Sequence, residues 1–444
     1  MTNSSAELDT SPASVGPPGS RARAIAAGLA DAGYPVTMGL AILTCALAPA
    51  YIVRWHVGPL PTTLLENALL LTVAAFLVES WRAGTWPPWR GWPASVWPVW
   101  RTSLTIPTAL FLVAGAISVV VAPDRRAALG LYRAYLIEPI LFSIVLLKVV
   151  TSAQRAAAIV GGLAAGATVA GVANAVVVVI ALSHRDYNVL NTPPVVIYNT
   201  ANAVALYLVP LIAVAGAISL HWPNRRERLL AAGFVAVGTI CVLLSFSRGG
   251  YLALAGVAIG LAISHRRRWL LLAGAAVGAG ILLLIPQIRR RVYGEIDLNG
   301  PNNTLVGRFH LWSATLQMLR DHPIFGAGLS GYATVLGPYW NPYHPDRFTY
   351  PHNIVLSAWS ETGLLGLIAF AWLMVAGFVR SIRGWRFGAP GWRVIQLGVA
   401  LALVAVLLHG LVDVPYWKND LSLEFWALLS LSFAPPRESL QQPS

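Results

Sequence analysis

The segment Ser245-Phe246-Ser247-Arg248-Gly249-Gly250-Tyr251 joins two long apolar runs, LLAAGFVAVGTICVLL before it and LALAGVAIGLAIS after it. An arginine at a helix start opposes the macrodipole, so the position is unfavourable unless an anion joins it. With an anion present, the Arg248 guanidinium, the Ser247 hydroxyl and the N–H groups of the glycine turn form a phosphate-type cradle. The plainer alternative is that Arg248 snorkels to lipid phosphates. A second polar group opens another apolar run: His352, followed by Asn353, Ser357, Ser360 and Glu361, which fall within about a third of a helix circumference. Ionisable groups entering a bilayer mark a cavity or a partner, although such serines and Glu361 also serve as glue between helices. A helix start disfavours an imidazolium, and a neutral ring is the form a general base needs. Arg133 and Glu138 are either a structural ion pair or part of the same cavity.

The elements that must position these residues are read from composition. Of 444 residues, 56% are hydrophobic and 11% charged, too little polar surface for a soluble chain of this length. About twelve segments reach the roughly 17–25 apolar residues that a helical crossing needs. The expected organisation is a disordered cytoplasmic tail at 1–30, nine transmembrane helices over 31–285, one long extracytoplasmic loop at 286–352, three more helices over 353–435 and a short cytoplasmic tail at 436–444. Alternate connections carry the arginines, among them Arg225, Arg226 and Arg228, then Arg266 to Arg268, then Arg380 to Arg393. The positive-inside rule then places both termini in the cytoplasm and Arg248 outside. That asymmetry, with anionic lipid headgroups, accounts for the net charge of +13 and leaves no soluble basic domain for nucleic acid. Tryptophans crowd the connection WPPWRGWPASVWPVW as interfacial anchors do.

The loop is far longer than a connection needs, which points to function. Within it, Phe309, Trp312, Leu316 and Leu319 recur at helical spacing and predict an amphipathic helix at the membrane surface, stopped at Asp321-His322-Pro323. Gly326, Gly328 and Gly331 predict a tight, close-approach turn. His310, His322 and His344 share the loop with His352. Cys45 and Cys241 fall inside expected crossings, so no disulfide framework is expected. CxxC, HExxH and P-loop motifs are missing, so neither metal nor cofactor is expected.

The motifs SFSRGGYLAL, GRFHLWSATLQMLRDHPIFGAGLSGY, PHNIVLSAWSETGLLGL and HGLVDVPYW, in that order over about 240–420, resemble the O-antigen ligase/polymerase superfamily, the Wzy-C group. The resemblance implies an all-α integral membrane protein, GT-C-like, with about twelve transmembrane helices and amphipathic helices in one long extracytoplasmic loop. It implies a metal-independent glycosyltransferase of the bacterial cytoplasmic membrane. Such an enzyme moves a glycan from an undecaprenyl-pyrophosphate carrier to a glycan, lipid or protein acceptor. It carries the diphosphate-binding role onto Arg248 and Arg308, onto Arg133 by position only, and the acceptor-side role onto His352. Glu361 and Asp413 are the next candidates for a base, with Asn353 and Ser357 as supporting groups. A diphosphate is already a good leaving group, so charge stabilisation and a base suffice, and the lack of paired carboxylates favours a direct, inverting displacement. A transporter of a small anion or carrier-linked glycan is the alternative. It lacks the inverted repeats common in that class.

Overall fold

The computed structural model describes residues 33–58, 60–85, 101–184, 186, 193–198, 200–296, 303–340 and 348–434. The expected tails, the tryptophan-rich connection at 86–100, Arg185 and His344 lie outside the described residues. Each of the twelve expected crossings contains a helix. Before the long loop these are α1 (Pro35–Ala46), α2 (Leu64–Arg82), α3 (Ile106–Val121), the rod made by α4 (Arg125–Tyr132) and α5 (Glu138–Val149), α6 (Ala153–Ser183), α7 (Ala201–His221), α8 (Arg225–Leu244), α9 (Arg248–Ser264) and α10 (Arg268–Leu284). The loop carries α11 (Pro286–Ile296), α12 (Thr304–Asp321) and α13 (Tyr332–Leu336), and the chain returns through α14 (Ile354–Phe387), α15 (Pro390–Gly410) and α16 (Asn419–Phe433). Among the described residues, eight helices are long and apolar enough to cross a membrane alone, or nine if α10 is joined to α11 across a 98° bend. The protein is thus an all-α integral membrane protein. One antiparallel hairpin, Arg54–Val57 with Leu60–Thr63, is the exception.

Helix α7 is apolar on every side, the pattern of a helix surrounded by others. It packs against α6, α8, α9 and α15, and nearly all its side chains are buried. Small residues allow the closest approaches. A Cβ at Gly162 or Gly166 of α6 would stand 2.5 or 2.4 Å from the carbonyl oxygens of Ile42 and Ala46, so the α1 and α6 backbones meet through glycine. Between α4 and α5 the ladder widens to a π turn at Arg133–Ile137. Pro139 lacks the N–H that would serve the Tyr135 carbonyl four residues back. The Tyr416 hydroxyl donates to that carbonyl instead, at 2.7 Å.

The glycine-rich turn after α12 docks where α14 breaks. Gly363 takes φ +68, and the freed groups pair with the turn: Leu364 N–H donates to Ile324 O at 2.9 Å and Ala327 N–H to Ser360 O at 2.7 Å. Gly326 and Gly328 also have positive φ. A Cβ on Gly326 would lie 2.5 Å from the Trp359 and Ser360 carbonyl oxygens. The Trp359 indole donates to Pro323 O at 2.7 Å. Helix α12 is present as expected and ends at Asp321, but its buried stripe is Leu311, Ala314, Thr315, Met318 and Leu319. Phe309 and Leu316, expected on the face that lies at the membrane surface, are exposed. The helix turns its mixed stripe inward because the Thr315 hydroxyl has a partner there, the Tyr332 hydroxyl at 2.7 Å.

Candidate functional site

Helix α9 begins at the Ser-Arg-Gly-Gly motif. Ser247 is its N-cap, the side chain accepting from Gly250 N–H at 3.2 Å. Phe246 before it holds φ +51, a left-handed conformation uncommon outside glycine. The two glycines admit neighbours: a Cβ on Gly249 would meet the His409 ring at 2.6 Å, and one on Gly250 would meet Ala205 Cβ at 2.5 Å.

Arg248 projects toward the loop helices. Its Nε donates to the Arg291 carbonyl at 3.0 Å and its Nη1 to Thr304 Oγ1 at 2.9 Å. Arg291 Nε returns to the Phe246 carbonyl at 3.1 Å. Arg248 lies within electrostatic reach of both Arg291 and Arg308. Burial lowers the proton affinity of Arg291; Tyr251 raises it and Arg308 lowers it further. Burial also lowers that of Arg308, against the pull of Asp413 and Tyr350. All three guanidiniums stay charged at any ordinary pH. The result is a concentrated positive field in a partly desolvated pocket, which is the electrostatic requirement for holding a multiply charged anion.

A second polar group, around His352, is built at the junction of α14 and α15. His352 takes φ +50 and precedes Asn353, the N-cap of α14. Asn353 Oδ1 accepts from Val355 and Leu356 N–H, and its Nδ2 donates to Leu411 O at 3.1 Å, tying the two helices together. The Trp312 indole of α12 donates to Pro351 O at 2.9 Å, and Tyr350 and Phe348 flank the His352 ring at centroid distances of 4.5 and 5.7 Å. His352 Nδ1 stands 3.4 Å from Asp413 Oδ1, an ion-pair distance too long for a well-formed hydrogen bond. Asp413 is itself fixed: Asn202 Nδ2 donates to Oδ2 at 2.7 Å, and Val414 N–H to Oδ1 at 2.9 Å. Burial would push the Asp413 carboxyl up, but His352, His409 and Arg308 outweigh it and hold it well below the usual carboxylate range. His409, buried beside it, faces Ser247 Oγ through Nε2 at 3.4 Å. A carboxylate facing Nδ1 of His352 favours the tautomer that leaves Nε2 to accept a proton.

Of the residues singled out in the sequence, Ser247, Arg248, Arg308, His352, Asn353 and Asp413 share this region. Ser357 is buried one turn below Asn353, its hydroxyl without a partner. Two candidates are engaged elsewhere. Glu361 Oε2 accepts from Ser330 N–H at 2.8 Å and the Glu361 carbonyl accepts from Ser118 Oγ, so the residue pins the docked turn. At about 1.5 Å of rise per residue it lies roughly 13 Å along α14 from His352. Arg133 is gripped by Glu66 at 3.0 Å and Glu138 at 3.2 Å, and donates to Pro61 O. The Arg133–Glu138 ion pair of the first reading is therefore present. His310 and His322 are exposed. Arg291, His409, Asn202 and Tyr350 were not expected. Arg291 is one of three consecutive arginines, a pattern that solvated charge runs share, whereas His409 stands inside the HGLVDVPYW motif.

An apolar groove of about 370 Å³ opens beside the arginines, lined by Leu182, Leu243, Phe246, Leu282, Ile285 and Ile288 among others. Among the described residues, no group of three or more His, Cys, Asp or Glu side chains is arranged to hold a metal ion.

Residues 232–371 match the family model Wzy_C, O-antigen ligase. An uncharacterized protein of Haemophilus influenzae is 26% identical over 175 residues, covering 34% of this chain and 44% of that protein. The exopolysaccharide production protein ExoQ of Rhizobium meliloti is 27% identical over 172 residues, covering 34% of this chain and 38% of ExoQ. The chain thus spans less than half the length of these curated relatives.

Proposed function

We propose, from the match of residues 232–371 to the O-antigen ligase family model in a multi-pass membrane protein, that the chain is a metal-independent glycosyltransferase of the bacterial cytoplasmic membrane. It moves a glycan from an undecaprenyl-pyrophosphate carrier to an acceptor hydroxyl on the outer face. The observation that carries this reading is the gathering of Arg248, Arg291 and Arg308 beside an apolar groove, with the His352–Asp413 pair across from them. The arginines take the diphosphate and the groove takes the first isoprene units.

The acceptor oxygen attacks the anomeric carbon as the bond from that carbon to the diphosphate oxygen breaks. The acceptor proton passes to His352 Nε2, and the leaving diphosphate keeps the bonding electrons, its charge spread over the three guanidiniums. One displacement inverts the anomeric centre. Asp413 stabilises the imidazolium formed, as a carboxylate does behind a histidine base. Reconstituted protein given a polyprenyl-diphosphate glycan and candidate acceptors should form a glycosylated acceptor with inverted linkage, in excess chelator as well as without it. Movement of the intact donor across the bilayer with no new glycosidic bond would establish transport instead.

A further inference from the structure

The turn that ends α15, residues 409–413, touches both halves of the site. Toward α14, a Cβ on Gly410 would stand 2.9 Å from Ile354 Cγ2, and the Leu411 carbonyl accepts from Asn353 Nδ2. The start of α14, next to His352, is fastened there. Asp413 hangs from the same turn, its N–H donating to the His409 carbonyl at 3.0 Å. Toward α9, the His409 side chain reaches the Ser-Arg-Gly-Gly motif, with Nε2 3.4 Å from Ser247 Oγ.

That reach depends on the first glycine of the motif. A Cβ on Gly249 would stand 2.6 Å from His409 Cδ2, 2.9 Å from Nε2 and 2.8 Å from Val412 Cγ2. Gly249 lies in regular helix, so close approach and not backbone freedom calls for glycine here. Space filling does not account for the imidazole. His409 is 2% exposed, and among the described residues no partner reaches its Nδ1. An unmet polar atom in the interior of a membrane protein is costly, and a leucine would fill the space without it. What the ring adds is a nitrogen facing Ser247, the N-cap that sets where α9 begins. The Ser247 hydroxyl accepts from Gly250 N–H and retains its own proton and a second lone pair for His409. Arg248 is the next residue.

We infer that His409 is a positioning residue: through Ser247 it holds the Arg248 end of α9 in register with the His352–Asp413 pair, which the same turn of α15 supports. The contact at 3.4 Å is long, as hydrogen bonds in such sites often are until substrate is bound. The kinetic consequence rests on the proposed transfer. A donor held by the arginines must present its anomeric carbon to an acceptor held at His352, and a displacement of about 1 Å costs on the order of 10²-fold in rate. Each half-site stays intact without His409; their mutual placement does not.

The test compares the full-length protein with three variants. His409→Leu keeps bulk and removes the nitrogen, His409→Gln returns an amide near the Nε2 position, and Gly249→Ala pushes the ring from the α9 side. Hydrogen exchange reads the link without any transfer. The Gly250 and Tyr251 amides, which donate to Ser247 Oγ and O, should exchange about fivefold faster or more in His409→Leu and Gly249→Ala. They should return toward the parent rate in His409→Gln, while the Val355 and Leu356 amides capped by Asn353 stay unchanged. In the transfer assay, kcat should fall by about 10²-fold in His409→Leu and Gly249→Ala, with undecaprenyl-diphosphate affinity kept within about threefold. The double variant should lose less than the product of the two single losses, because both act on one contact. Unchanged exchange at 250 and 251, parent-like kcat in His409→Leu, or loss of carrier binding at unchanged kcat would each overturn the inference. A parent protein that binds the carrier and transfers nothing would sink the proposed function, and the exchange rates would still decide the link. Should His409→Leu fail to fold, Gly249→Ala set against His409→Gln carries the same comparison.

Discussion

At the residue scale, the proposed mechanism separates charge stabilisation from proton transfer. Arg248 Nε donates to the Arg291 carbonyl and Arg291 Nε to the Phe246 carbonyl, so backbone contacts fix the orientation of both guanidiniums. Arg248→Ala and Arg291→Ala should each lower transfer by about 10²–10³-fold, the usual cost of removing one preorganised charge stabiliser. Arg248→Lys should recover little, since an ammonium cannot reproduce the planar fork. Near-normal rates in Arg248→Ala would return that residue to lipid snorkelling. His352→Ala should cost about 10²–10⁴-fold while donor binding survives, as expected for a general base. Asp413 supplies a pH test with a definite sign. Its folded-state proton affinity is depressed, so its contribution to stability is full above the ordinary carboxylate value of about 3.9 and is lost as pH falls below it. Asp413→Asn should therefore lower the unfolding temperature at both pH 7 and pH 5.5, with the gap to the parent protein closing only in stronger acid. A gap that closed already between pH 7 and 5.5 would contradict the depressed carboxylate. Much of this site was legible from motifs because each of Ser247, Arg248, His352 and Asp413 is a polar residue where lipid or a helix start makes it costly. Arg291 was not, since a run of three arginines beside a membrane is ordinary. Glu361 was legible as buried and costly, but its task depended on which segment docks against it.

At the element scale, the decisive feature is the break in α14. Hydropathy makes the crossings readable, because a chain in lipid satisfies its backbone within each helix. The same rule hides the break: Ser360-Glu361-Thr362-Gly363 reads as uninterrupted helix until the 324–327 turn supplies the missing backbone partners. The turn in turn fixes α12, whose Trp312 holds the peptide before His352. Gly363→Ala should be destabilising on two counts. A left-handed alanine costs about 1–2 kcal/mol, and its Cβ would stand 2.4 Å from the Ile324 carbonyl oxygen, which belongs to the backbone and has little freedom to yield. The comparison is Gly274→Ala in α10, where the space is open and a helical glycine replaced by alanine gains roughly 0.5–1 kcal/mol. Thermal unfolding in detergent should separate the two by several degrees, with transfer also impaired in Gly363→Ala. Equal stability would mean that the turn does not clamp the helix.

At the scale of the whole molecule, the two ends of the bundle are chemically different. One end carries Arg248, Arg308, His352 and the loop helices; the other carries Arg82, Arg225 to Arg228, Arg266 to Arg268, and Arg380 to Arg393 at helix ends that alternate in direction. By the positive-inside rule we propose that the second end faces the cytoplasm, with the proposed chemistry outside. Both native thiols, Cys45 and Cys241, are buried and free, so new thiols at the surface can be read without background. His310 and Arg226 are exposed at opposite ends. In intact cells a membrane-impermeant maleimide should label His310→Cys readily, and should label Arg226→Cys only after the membrane is opened. The reverse pattern would turn the molecule over, and with it the donor site would face the wrong leaflet for transfer on the outer face. Labelling of both positions in intact cells would mean that these two helix ends do not lie on opposite sides of the bilayer, contrary to the roughly 30 Å length of α8.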